Sequence, residues 1–405
     1  MSHSGSARQT GGDLATWRLT VSGLCASLIG IGLARFAYTP LLPAIVGAGW
    51  FGGATAAYLG AANLAGYLAG ALLAGPLAAR LGARGVLRGG MLAASVAFFA
   101  CGWPVDFAWF FAWRFLSGMA GGAVMVLAAP TVLPHVAPSR RGLVSGTIFM
   151  GVGLGVAASG TLVPLLLRQG LQQTWFGLGV LALVLTLVAW GGWPRPAPAT
   201  AAPGRSVRHR IPRRALWSVT IQYGLNAFGL VPHMIFLVDY VARGLGQGVT
   251  VGAEYWVIFG LGAVVGPLVT GHVADRIGFV PTLRLAYLVE AAAVALPLMG
   301  YGATGLIVSS FVVGAFTPGI VPLMLGRIHE IMQHHPALQK RAWGMATISF
   351  AIMQATGAYG MSFLFVRSGG DYGLLFTLGA GAMLVALMVE LSVSAVFGRR
   401  SEDNL

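Results

Sequence analysis

Hydrophobic positions along this chain fall in long, nearly unbroken runs. They do not form the narrow stripes or strict alternation of a water-soluble domain. Stretches such as LGVLALVLTLVAWGGW and GLIVSSFVVGAFTPGIVPLML carry no charge at all. About 20 apolar residues suffice for one helix to cross a bilayer. That ruler predicts helices over residues 18–46, 53–77, 85–103, 107–133, 143–167 and 174–193. After a break it predicts six more, over 215–241, 252–272, 281–301, 304–326, 342–366 and 372–397. A transmembrane barrel would need shorter segments of alternating polarity. The pattern therefore predicts an all-α integral membrane protein of twelve transmembrane helices.

The break is PRPAPATAAPGRSVRHRIPRR at 194–214, where proline, alanine and arginine replace the apolar pattern. Such a composition reads as a flexible linker. The expected organisation is a tail at 1–17, a six-helix bundle at 18–193, the linker at 194–214, a second bundle at 215–397 and a tail at 398–405. The even number of helices puts both termini on one side.

Composition agrees with a hydrocarbon environment. The 405 residues are 57% hydrophobic and 9% charged, with a mean hydropathy of +0.78, whereas a soluble domain keeps roughly a quarter of its residues charged. The net charge of +14 raises the possibility of a nucleic-acid partner, but its placement argues otherwise. Of the 25 lysines and arginines, only Arg168, Arg243 and Arg367 fall in loops on the side away from the termini, and Arg35 and Arg114 lie inside helices. The remainder gather on the terminus side, the bias that marks the cytoplasmic face. Both termini are expected in the cytoplasm, the protein in the inner membrane, and the basic end of the linker against anionic lipid headgroups. No nucleic-acid partner is expected. Cys25 and Cys101 lie within apolar runs, so no disulfide framework is implied, and the first residues show no signal-peptide pattern.

The two predicted bundles echo each other. GPLAARLGAR at 75–84 aligns with GHVADRIGFV at 271–280, each between the second and third helix of its half. RRGLVSGTI at 140–148 shadows KRAWGMATI at 340–348. Two parallel halves of this kind are a transporter architecture. The segment 75–84 and its echo resemble the loop signature G-x-x-x-D-R-x-G-x-R of the major facilitator superfamily. WRFLSGMAGG at 113–122 resembles that superfamily's fourth-helix signature, with Arg114 as the motif arginine. IGLARFAYTPLLPAI at 31–45, followed by YLGAANLAGYLAGALLAGPLA at 58–78, resembles the YbfB/YjiJ-like branch. The resemblance implies two pseudo-symmetric six-helix bundles and a role for Arg114 in coupling or helix positioning. It also implies a gating ion pair near Arg80. The acidic position of that signature is Ala79 in the first half and Asp275 in the second, which leaves Asp275 with Arg276 to carry the pair. GVGLGVAASG at 151–160 has the glycines of the family's exporter signature without its Gly-Pro.

Charges at the bilayer centre are costly and mark functional candidates. Arg35 lies well inside the first helix, with Tyr38 and Thr39 one turn on. It calls either for a carboxylate or an anionic ligand, or for snorkelling to the interface. Arg114 reads equally as an interfacial anchor beside Trp109 and Trp113. Gln222, Asn226 and His233 share one face of the seventh helix by spacing and are candidate cavity-lining groups. His233 could carry a coupling proton or be a neutral, hydrogen-bonded histidine. Asn63 with Tyr67, and Thr347 with Gln354, share faces of helices 2 and 11, as substrate contacts or as interhelical hydrogen bonds. Asp239 is a candidate outer-gate carboxylate or a solvated one. Glu290 reads as a structural partner in helix 9, and Glu390 as reaching water at the cytoplasmic end of helix 12.

No enzyme is expected. In HEIMQHH at 329–335 the two histidines His329 and His334 are spaced off one helical face, so no zinc site follows, and no G-x-S-x-G elbow is present. Neither metal nor cofactor is implied. Without a phosphate-binding loop, energy is expected from an ion gradient, most simply protons. The expected function is secondary active transport of a small solute by alternating access, with a small organic anion favoured by Arg35 and Arg114, in a monomer. A proton-driven exporter of cationic or amphiphilic compounds is the alternative, and a membrane receptor that moves nothing is the alternative of another class.

Overall fold

The computed structural model describes residues 4–194 and 212–402. Most of the expected linker at 194–214 lies outside the described residues. Every regular element among the described residues is helical, as hydrocarbon demands, because a helix satisfies its backbone hydrogen bonds internally.

Eleven of these helices are long and apolar enough to cross a membrane. One of them, Tyr58–Ala100, has 43 residues and breaks at Gly82, where φ is +74°. That left-handed conformation suits glycine, which has no Cβ. Tyr67 and Ala71 before the break and Gly90 after it all meet the stretch 120–122. In one straight helix Ala71 and Gly90 would stand about 28 Å apart, so the chain doubles back at Gly82. The two arms, α2 (53–81) and α3 (83–100), are separate crossings and bring the number to twelve. The others are α1 (Thr16–Leu42), α4 (Phe107–His135), α5 (Pro138–Leu167), α6 (Leu171–Ala189), α7 (Arg213–Gly244), α8 (Val251–Ile277), α9 (Phe279–Met299), α10 (Gly302–Ile331), α11 (Leu338–Phe365) and α12 (Tyr372–Ser392).

Most of the segment expected as a tail at 1–17 is helical. Its helix starts at Ser4 and runs unbroken to Ser27. Extension from an existing helix avoids the nucleation cost. Wide π-type turns interrupt α1 at Leu28–Leu33 and α7 at Pro232–Phe236 and Tyr240–Gly244. Turns of this type concentrate at functional sites.

The chain divides into two compact units between residues 204 and 205. In the first, α2 and α4 approach through glycine. A Cβ at Gly66 or Gly70 would strike the carbonyl of Phe115 or Met119, and one at Gly118 would strike that of Asn63. In the second, a Cβ at Gly262 or Gly266 of α8 would strike the carbonyl of Phe311 or Ala315 in α10, and one at Gly314 that of Phe259. One constant shift in residue number converts each contact of the first unit into its counterpart in the second. The same shift carries Arg80 to Arg276 and Gly82 to Gly278, whose φ is +88°. The repeat seen in the loop sequences is therefore a repeat of helix packing. In membranes, where the surrounding lipid is as apolar as the helices, such small-residue contacts supply much of the attraction. The glycines of the fifth helix serve the same end: Gly151 faces the Leu24 carbonyl, and Gly155 faces Gly32.

Candidate functional site

Each unit buries a polar cluster around the residues singled out in the sequence. In the first unit it forms where α1 loses regularity around Leu28–Leu33 and Ala37. Arg114 enters from α4 and is 2% exposed. Its guanidinium donates to the Ala34 carbonyl at 2.7 Å and lies 4.3 Å from the centroid of the Tyr38 ring, a cation–π distance. Its Nε has no hydrogen-bond partner. Asn63 Nδ2 of α2 lies 3.1 Å from Ser117 Oγ, 3.3 Å from the Arg114 carbonyl and 3.4 Å from that of Ala34. Ser117 Oγ donates back to the Arg114 carbonyl at 2.8 Å, and Tyr38 donates to the Ala56 carbonyl at 2.7 Å. Arg35 is half-buried, stands 5.4 Å from the Phe36 ring centroid and interacts electrostatically with buried Tyr67.

Among the described residues no carboxylate is bonded to this cluster. Asp13 and Asp106 are the only acidic residues in the sequence before Asp239. Asp106 accepts the Trp109 backbone N–H at 2.7 Å and so caps α4.

In the second unit the cluster follows one face of α7. Gln222 Nε2 donates to Ser218 Oγ at 2.8 Å and to Glu390 Oε2 of α12 at 3.1 Å. One turn on, Asn226 Nδ2 donates to Glu290 Oε2 of α9 at 2.8 Å. Two turns further, His233 Nε2 lies 2.7 Å from Ser309 Oγ of α10. Ser309 spends its hydroxyl hydrogen on the Ala293 carbonyl at 2.6 Å, so it accepts from His233 and fixes the Nε2–H tautomer. At the end of α7, Asp239 pairs with Arg243 and accepts from the Tyr372 hydroxyl of α12 at 2.7 Å.

The predicted positions thus separate into groups. Tyr38 and Asn63 gather around Arg114, which is buried rather than interfacial, while Arg35 lies beside Phe36 and near Tyr67. Gln222, Asn226 and His233 do share a face, but that face is turned into the second unit, with each residue 0% exposed and bonded to α12, α9 or α10. Gln354 Nε2 of α11 lies 3.4 Å from Met234 Sδ. Asp239 belongs to an ion pair and a tyrosine hydrogen bond. Arg80 and Arg276 are exposed, and Asp275 is half-buried, all three beside the two positive-φ glycines.

Glu390 does not reach water as expected. It is 2% exposed, because Gln222 and Arg284, 3.8 Å away, cover it. Ser117 and Ser309 were missed. A lone serine in an apolar run carries no spacing signal, and only the tertiary contact shows its use.

The family model of the uncharacterised MFS-type transporter YbfB matches residues 27–391. A gallate transporter of Pseudomonas putida is 28% identical over 245 residues, 51% of this chain and about half, 53%, of that protein's length. The uncharacterised MFS-type transporter YceJ of Bacillus subtilis (strain 168) is 25% identical over 314 residues, 74% of this chain and 78% of that protein. Among solved structures, the human organic anion transporter MFSD10 (TETRAN) superposes with a TM-score of 0.72 at 18% identity, covering 93% of this chain and 99% of that one. The proton:xylose symporter XylE superposes with a TM-score of 0.71 at 13% identity, covering 94% and 96%. At these identities the structural likeness concerns the fold.

Proposed function

The chain belongs to the family of the uncharacterised MFS-type transporter YbfB, and from that premise we propose that it carries a small organic anion across the inner membrane by alternating access, driven by protons. The observation that carries this reading is Arg114. A guanidinium remains charged at any physiological pH, and this one is buried with an unpartnered Nε and, among the described residues, no carboxylate bonded to it. A carboxylate ligand would supply both the charge and the acceptor. The half-buried Arg35 beside Tyr67 offers a second cationic group from α1. The Pseudomonas putida relative named as a gallate transporter supports the same ligand class, since gallate is an aromatic carboxylate.

In this reading Arg35, Arg114, Tyr38, Asn63 and Tyr67 form the anion site. Asp239 with Tyr372 and Arg243 clasps the outer ends of α7 and α12, and Arg80, Asp275 and Arg276 act at the opposite face. The bias of basic residues toward one side supports cytoplasmic termini.

The test is thermal stabilisation of the detergent-purified protein by carboxylates including gallate, sugars, amino acids and lipophilic cations. A ligand bound only to the folded state adds about 2.7 kcal/mol at a hundredfold excess over its dissociation constant. Stabilisation by carboxylates that disappears in Arg35→Ala is the expected result. Stabilisation by lipophilic cations alone overturns the anion reading and favours the exporter alternative.

A further inference from the structure

The second unit contains a carboxyl group that the anion site does not use. Glu290 of α9 is 0% exposed. Its Oε2 accepts one hydrogen bond, from Asn226, and its Oε1 has no partner. Among the described residues no arginine, lysine or histidine pairs with it. Glu390 provides the contrast: it has Gln222 and the Arg284 guanidinium beside it.

Among these residues only Asn226 bonds Glu290, and the buried groups of its neighbourhood come from four helices. On α7 they are Asn226 and, a turn away, Tyr223 and Gln222. On α9 itself Tyr287 has turned its hydroxyl to Met324 Sδ. On α12 they are Met383, whose Sδ lies 3.4 Å from Asn226 Nδ2, and Glu390. On α10 they are Ser309, committed to His233 and Ala293, and Ser310.

We propose that Glu290, facing Asn226 across α9 and α7, is the proton-binding group that couples transport to the proton gradient. The inference rests on the proton-driven transport reading above. An ionised carboxylate at this depth, with one amide hydrogen bond and no counter-charge, is expensive to keep. A single added proton resolves the local accounting. Glu290 Oε1 and Asn226 Oδ1 are both unpartnered acceptors, and they belong to two residues already joined through their other atoms. A carboxylic acid and a primary amide are complementary: the amide N–H donates to one acid oxygen, and the acid O–H donates to the amide oxygen. In the loaded state the proton is bonded to a Glu290 oxygen. On release it passes to water and leaves the carboxylate held by the Asn226 N–H alone.

The fold does not require this group. The shift that superimposes the helix packing of the two units places Ala94 of α3 opposite Glu290, and Ala94 is fully buried without a polar partner. His233 is the weaker candidate. Its Nε2–H is committed to Ser309, and protonation would add a charge where no carboxylate stands against it.

The test reads the carboxyl directly. Infrared difference spectra of the full chain in proteoliposomes, recorded through a pH titration in water and deuterium oxide, report a buried protonated carboxyl by its carbonyl stretch. The expected result is a band that shifts in deuterium oxide, disappears in Glu290→Gln and persists in Glu390→Gln. Asn226→Ala should move the band without abolishing it, which keeps the test valid if the glutamine variant folds poorly. No such band at any pH, or one that survives in Glu290→Gln, overturns the proposal.

Transport provides the second arm, with radiolabelled gallate as probe. Glu290→Gln should lose accumulation driven by a pH gradient and retain gallate counterflow. Retained gradient-driven accumulation, or loss of the band on adding sodium, overturns the proton assignment. The infrared arm needs no substrate. A failure of gallate to bind or move therefore counts against the anion reading alone.

Discussion

Replacing Arg114 with methionine separates a binding arginine from a structural one. Methionine keeps most of the length and the apolar stem, so packing against Tyr38 survives in part. The charged hydrogen bond to the Ala34 carbonyl is worth about 1.5–3 kcal/mol. The cation–π contact with Tyr38 adds about 2 kcal/mol when desolvated. Against these losses, removing a charge from the membrane interior recovers about 2.5–3.5 kcal/mol. The balance is a stability loss of about 0–2.5 kcal/mol, kept small because Asn63 still reaches the orphaned Ala34 carbonyl. Affinity should change far more. Truncating one partner of a buried charge pair costs about 2–5 kcal/mol, a loss of about thirtyfold to several thousandfold. Melting in detergent gives the first quantity and equilibrium binding of gallate the second. A variant that melts far lower yet binds gallate with unchanged affinity per folded molecule would refute the anion site and make Arg114 a strut between α1 and α4.

Further substitutions test the surrounding structure. Gly70→Val sets a side chain against the Met119 carbonyl, where backbone must move, and should abolish recovery of monodisperse protein; Gly75→Val, with open space around it, should be tolerated, as gel filtration would show. Ser309→Ala leaves the His233 Nε2–H without an acceptor at full burial and should cost about 1–3 kcal/mol in melting. Tyr372→Phe removes the hydroxyl bond to Asp239 and should cost about 1 kcal/mol; adding Asp239→Asn should cost only about 0.3–0.5 kcal/mol more, the worth of the exposed Arg243 pair.

Much of the architecture was legible because hydrocarbon imposes it. Runs of apolar length mark the spans regardless of tertiary detail, and the helix limits differ from expectation mainly at their ends. The gap expected between residues 77 and 85 is a single glycine hinge. GPLAARLGARG has no cluster of loop residues to announce where the turn falls, and only a positive φ at Gly82 distinguishes it. Lone arginines in apolar runs were visible for the same energetic reason that makes them candidates. Burial of side chains within a unit was not. Helical spacing places Gln222, Asn226 and His233 on one face without saying what that face meets. Glu390 was misjudged because distance from a helix end ignores what packs over it, here Gln222 and Arg284.

The two units keep one packing scheme and fill it with opposite chemistry. The glycine contacts between α2 and α4 recur between α8 and α10 at a constant register, yet Arg114 corresponds to Ser310 and Ala94 to Glu290. If the buried polar groups served packing, a repeat this close in its glycines should preserve them, and it does not. What each unit lacks is also different. Among the described residues, Arg114 of the first has no carboxylate bonded to it, and Glu290 of the second has no cation bonded to it. An anionic ligand would complete the first, and a proton shared by Glu290 and Asn226, whose Oε1 and Oδ1 both lack partners, would complete the second. A single charge of either sign would complete only one of them, and it is on that difference that both an organic anion and a proton are proposed to be carried.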